Sequence, residues 1–102
     1  MSKMYIAVLD EFPDYMTPTL VAHAVLGYHH DTVVHYSLYR YWLSNSFKKV
    51  VLRVNQKEFD KIVKLPGAGV YHENNTLDGK DSCAVIVVDE DIPNVLKFAK
   101  LS

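Results

Sequence analysis

The densest set of side chains able to hold a polar ligand lies at residues 72–82, where Asn74, Asn75, Thr76 and Lys80 stand with Asp78, Asp81 and Ser82. Amides, hydroxyls and one ammonium supply donors and acceptors suited to a phosphate or a base edge, without an obvious nucleophile and base pair for breaking bonds. A polar hairpin loop is more often solvated than functional, so this stretch gains weight only from what lies beside it. Three other patterns carry less. Five histidines are present, but His29 and His30 are adjacent and cannot share a helix face. No cysteine or carboxylate completes a familiar ligand spacing, so no metal site is expected. Cys83 opens an apolar run, where a thiol is usually inert packing. Gly67 and Gly69 follow Pro66 with no helix opening behind them, which is not a phosphate-cradling loop. No catalytic residue and no cofactor is assigned.

The elements that must position these groups begin with residues 4–9 (MYIAVL), an apolar run with β-branched and aromatic members that reads as a buried strand. Thr17 before Pro18 reads as a helix entrance, and Gly27 as its stop, because an achiral residue accepts the left-handed conformation that ends many helices. Ligands of open α/β sheets bind beyond the carboxyl end of such a strand, where free helix N–H groups attract anions. The candidate site is therefore placed there, with Thr17 and Thr19 on the helix side. The link between strand and helix carries Asp10, Glu11 and Asp14, whose sign works against a polyanion.

Within that helix Leu20, Val21, Ala24, Val25 and Tyr28 form a core stripe. A second helix is expected over 32–43, with Leu38, Tyr39 and Trp42 inward and a surplus of Tyr36, Arg40 and Tyr41 for a subunit interface or a stacking surface. Residues 47–54 read as a strand. Asn55 and Glu58 form a capping box opening a helix to about residue 65, with Phe59, Ile62 and Val63 inward. A short strand at 70–72, a central strand at 83–88 buried on both faces, and a last helix capped by Asp91 and docked by Val95, Leu96 and Phe98 complete the order β-α-α-β-α-β-β-α.

Length and composition bound the rest. A chain of 102 residues with 49% hydrophobic and 23% charged residues is ordinary for one globular domain. No apolar run approaches the roughly 18 residues of a membrane span, and no signal-peptide pattern opens the sequence, so no membrane partner is expected. A lone cysteine fits a cytoplasmic home. A net charge of −1 argues against holding duplex nucleic acid by phosphate neutralisation.

Three segments in this order resemble type II peptidyl-tRNA hydrolases, the archaeal and eukaryotic enzymes that free tRNA from stalled peptides. They are the first strand with the helix ending AHAVLG at 22–27, the passage from Trp42 through KKVVLRV at 48–54, and the strand CAVIVV at 83–88. The resemblance implies an α/β fold, a four-stranded mixed sheet flanked by helices on both faces, in agreement with the element order read above. It departs at the catalytic pieces. Where the family carries glycines and lysines that meet tRNA phosphates, this chain has Pro13, Asp14, Tyr15 and Met16. The family's Asp-Ala-Gly-Arg-Thr-like loop falls near 72–76, where His72 replaces the acid and Thr76 is retained. A rate built on positioning a phosphate-rich substrate does not survive loss of its cationic clamp.

A retained scaffold with a rewritten centre is similar to a phage-borne branch in which this fold became a nucleotide-binding sponge. That resemblance implies a homo-oligomer, dimer or tetramer, in the cytoplasm of an infected host cell, sequestering cyclic dinucleotide immune signals without cleaving them. The ligand-binding set it implies is Thr17, Thr19, Asn74, Asn75, Thr76, Lys80 and Arg40. The alternative is a divergent peptidyl-tRNA hydrolase, and only then is tRNA a partner.

Overall fold

The computed structural model describes residues 1–72 and 79–102. At its centre β1 (Lys3–Leu9) pairs in parallel with β2 (Lys48–Val54) and antiparallel with β4 (Asp81–Val88). β3 (Gly69–His72) lies outside β4, and β5 (Lys100–Leu101) outside β2, giving the order β3-β4-β1-β2-β5. Every residue from Met4 to Leu9 and from Ser82 to Val88 is buried, which in a pleated strand requires cover on both faces. The cover comes from α1 (Thr17–Thr32), which packs on β1, β3 and β4, and from α3 (Gln56–Val63), which packs on β1, β2 and β4. α2 (Ser37–Ser44) brings Tyr39 and Trp42 into the core, and α4 (Asn94–Lys97) brings Leu96. Full burial of each large side chain such as Trp42, Tyr28 or Leu52 stabilises by about 1.5–3 kcal/mol. Among the described residues no helix is long and apolar enough to cross a membrane.

The mixed α/β architecture and the first four strands follow the expectation; several details do not. The sheet has five strands, because Lys100 and Leu101 return antiparallel to β2 at Arg53 and Leu52. Two residues after a one-turn helix leave no periodicity to read. Gly27 does not end α1, which continues to Thr32. The glycine serves close packing instead: a Cβ there would stand 2.7 Å from Cε1 of Tyr71. The helix ends where Thr32 Oγ1 donates to the Tyr28 carbonyl and Arg40 Nη1 donates to the carbonyls of Val33 and Val34. The second helix accordingly starts at Ser37 rather than Thr32. Asp91 caps nothing, since α4 starts after Pro93, and Phe98 is 76% exposed rather than docked. The capping box at Asn55 and Glu58 is present in both directions, at 2.8 and 3.0 Å.

Candidate functional site

Because β1 and β2 are parallel, both deliver their carboxyl ends to the same edge of the sheet, and antiparallel β4 starts there. Asp10 N–H donates to the Val54 carbonyl at 2.8 Å, locking the two exits together. Cys83 lies opposite Val8, which sets Asp81 and Lys80 beside the exit of β1. The convergence leaves a crevice of about 320 Å³ beyond Leu9, lined by Glu11, Gln56, Lys80 and Asp81. Gln56 is the first residue of α3, so the entrance of that helix rather than α1 faces the crevice.

The crevice carries both signs. Lys80 Nζ stands 4.0 Å from Glu11 Oε2, with both side chains well exposed, a loose pair worth about 0–1 kcal/mol. Such a pair opens readily to an incoming anion. The rim is firmer, because Arg53, opposite Val8 on β2, reaches across the acidic link. Its Nη2 donates to the carbonyls of Asp10 and Phe12 at 2.9 and 3.0 Å. Its Nη1 sits 2.6 Å from Asp14 Oδ1, an ion pair whose geometry is out of line for a hydrogen bond.

Of the residues anticipated from sequence, Lys80 lines this crevice, whereas Thr17, Thr19 and Arg40 do not. Thr17 is the first residue of α1 but makes no cap. A 3-10 turn over Asp14–Met16 runs directly into the helix, with Met16 N–H donating to the Pro13 carbonyl and Thr17 N–H to that of Asp14. Pro18 has no N–H to offer. The anion-attracting entrance expected at Thr17 is thus largely occupied by the chain's own carbonyls. Thr19 is exposed on the helix surface, and Arg40 is engaged at the end of α1. Asn74, Asn75 and Thr76 lie outside the described residues. Glu11 belongs to the acidic link already placed at the site, whereas Gln56 and the Arg53 that holds the link were not anticipated; the parallel pairing of β1 with β2 brings them there, and a single sequence gives no register.

The remaining titratable groups have structural surroundings. Cys83 is fully buried, with its thiol pushed up to about 12 by desolvation and directed at the Leu20 carbonyl at 3.6 Å, so no thiolate forms at neutral pH. Tyr28 donates to the Gly67 carbonyl at 2.7 Å, and burial raises its phenol well above the ordinary value. Tyr71 donates to Asp31 Oδ2 at 2.9 Å, which with His30 holds the Asp31 carboxyl below its usual range. Among the described residues no three potential metal-ligating side chains come together.

In comparisons with known proteins, the chain matches no family model and no curated protein.

Proposed function

We propose that the chain is a non-catalytic binding protein that sequesters a cyclic dinucleotide, placing one phosphate and its nucleoside in the crevice beyond Leu9. The observation that carries this reading is Lys80, a cation held only loosely by Glu11, at the carboxyl end of the central strand. In an α/β sheet that is the usual place for a nucleotide. The cation suits a small anion rather than a polyanion: Glu11 and Asp81 share the crevice, and Asp10 and Asp14 stand on the adjoining link. One loosely held ammonium, with Arg53 already paired to Asp14 and four carboxylates nearby, does not hold a tRNA backbone, whose grip depends on several released counterions.

Size points to assembly. A crevice of about 320 Å³ is at the lower end of small-ligand sites, enough for one half of a cyclic dinucleotide. A dimer or tetramer of this chain would enclose the other half. Asn74, Asn75 and Thr76, next along the chain from β3, would supply neutral donors to the same ligand. The sequence resemblance to the phage branch of the type II peptidyl-tRNA hydrolase fold supports the choice of ligand, and the host cytoplasm is where such a signal would be met.

Isothermal titration of the full chain with cyclic dinucleotides of each purine pairing tests the reading. Saturable heat, loss of affinity in Lys80→Ala and recovery of intact ligand after denaturation are expected. No heat with any of them, or release of the peptidyl group from peptidyl-tRNA at catalytic protein concentrations, overturns it.

A further inference from the structure

A second concavity lies away from the crevice, toward the amino-terminal ends of β1 and β2. Lys49 of β2 pairs with Met4 of β1, five residues before Leu9, or about 16 Å along the strand. The groove holds about 590 Å³ between α1 and the turn from α2 into β2. Val25 and Leu26 of α1 form one wall, Tyr39 and Trp42 of α2 the floor, and Phe47 and Lys49 the far rim. Leu26 is 71% exposed and Phe47 55%, so two large apolar side chains are left in water at its mouth.

Phe47 is the informative residue. Its φ of 55° makes it the one non-glycine with positive φ among the described residues. A bulky side chain in the left-handed region strains the backbone, and glycine would take the same turn without that strain. Core burial does not account for keeping phenylalanine, since over half of it is exposed. What the strained turn achieves is a platform. The Phe47 ring stacks on Trp42 with centroids 5.2 Å apart and planes inclined by 29°. Trp42 is fixed by its Nε1 donating to the Lys48 carbonyl at 2.7 Å, and Phe47 N–H donates to the Trp42 carbonyl at 2.9 Å. Lys49 Nζ is held by the Phe47 carbonyl at 2.7 Å, 3.3 Å from the Phe47 ring centroid and 5.5 Å from that of Trp42. On the opposite side His29 Nδ1 is engaged by Tyr39 Oη at 2.7 Å, which fixes the imidazole edge.

Charge narrows the occupant. Among the residues lining the groove Lys49 is the one lysine or arginine, and no carboxylate is present to pair with it. An ammonium beside an apolar, weakly screening surface favours an anion. A second copy of the chain fits poorly, because two-fold packing of this face on itself would set Lys49 toward Lys49 with no acid between. The volume lies within the range of small-molecule sites, and aligned aromatic faces suit a flat ring. We propose that this groove is a second binding site, for a small amphipathic anion: a planar aromatic body lying between Leu26 and the Phe47 ring that Trp42 backs, with its carboxylate or sulfonate reaching Lys49.

The chain has a single tryptophan, in the lining of the groove, so energy transfer from Trp42 detects bound dye, and the loss of that signal in groove variants assigns it to this site. Titration of the full chain with 8-anilinonaphthalene-1-sulfonate, excited at the tryptophan, is expected to saturate at one dye per chain. Lys49→Met should weaken binding at least fivefold, and Phe47→Gly at least tenfold while circular dichroism confirms that it folds. 1-Naphthoate should displace the dye at least fivefold more effectively than neutral 1-naphthylmethanol. Lys80→Ala should leave dye affinity unchanged, which keeps this site's fate separate from that of the crevice. No energy transfer in the folded wild type, equal affinity in both groove variants, equal displacement by the alcohol, or a dimer whose formation excludes the dye would each overturn the proposal.

Discussion

The ring of Tyr71 occupies the space that a side chain on Gly27 would need, since a Cβ there would meet Cε1 and Cδ1 at 2.7 and 2.8 Å. The ring cannot swing away freely. Its hydroxyl donates to Asp31 Oδ2, and Gly69 borders it on β3, where a Cβ would approach the same hydroxyl to 2.6 Å. Gly27→Ala should therefore destabilise by about 1–3 kcal/mol through overpacking, although alanine is the better helix former by about 1 kcal/mol. Urea unfolding measures it. Truncating the ring as well, in Gly27→Ala/Tyr71→Ser, should cost less than the sum of the single changes; strict additivity would mean that the two residues do not meet.

Arg53 and Asp14 make a different kind of contact. Asp14 is 89% exposed, so the ion pair itself contributes at most about 1 kcal/mol. The two carbonyl bonds from Nη2 to Asp10 and Phe12 matter more, because they fix the link that walls the crevice. Arg53→Lys keeps the charge but loses the fork, and should cost about 1–2 kcal/mol in a denaturant melt. Asp14→Asn should cost less than half as much. A larger loss for Asp14→Asn than for Arg53→Lys would reverse this ranking.

Stability should fall on the alkaline side through Cys83. Its thiol ionises near 9.0 when unfolded but only at about 12 in the fold, so the folded state retains the proton longer. A raised folded pKa gives stability that is complete below the unfolded value and lost as pH rises toward the folded one. Between pH 9 and about 12 the loss from this group should approach about 1.4 kcal/mol per pH unit. Tyr28 and Tyr71, both raised, add to it above pH 10. Chemical denaturation at pH 8, 9 and 10 should show a shallower decline in Cys83→Ala than in the wild type. At the acid end Asp31, with its pKa lowered by Tyr71, contributes in full above the unfolded value of 3.8 and loses that contribution as pH falls through its lower folded value, and its exposure keeps the share small.

What could be read in the sequence was what depends on neighbours along the chain. The Asn55–Glu58 box needs only a spacing of three, and the apolar runs of β1 and β4 need only their own residues. The misreadings have two causes, a contact distant along the chain and a short turn without a periodic pattern. Gly27 looked like a stop because Tyr71 could not be placed beside it, and Thr17 looked like an open anion site because the turn at Asp14–Met16 left no periodic mark. Lys80 belongs to the polar stretch at 72–82, and the antiparallel pairing of β4 with β1 is what sets it beside Leu9. Glu11 and Gln56 join it only through the register of β1 with β2 and β4.

That pairing supplies the sharpest test of the crevice. Lys80 faces Glu11 at 4.0 Å, so an anion entering must compete with a carboxylate already on the chain. Glu11→Gln removes the competitor and one negative charge while keeping the side chain's size. If a cyclic dinucleotide binds here, its affinity should rise severalfold, since a partly exposed charge contact is worth about 0.2–1 kcal/mol. Lys80→Ala should move it the other way. The double variant should resemble Lys80→Ala alone, because Glu11 acts mainly through the ammonium it holds. Calorimetry at two ionic strengths separates this from a general effect of net charge: raising the salt should shrink the gain from Glu11→Gln. A gain that persists without Lys80 would place the bound anion elsewhere.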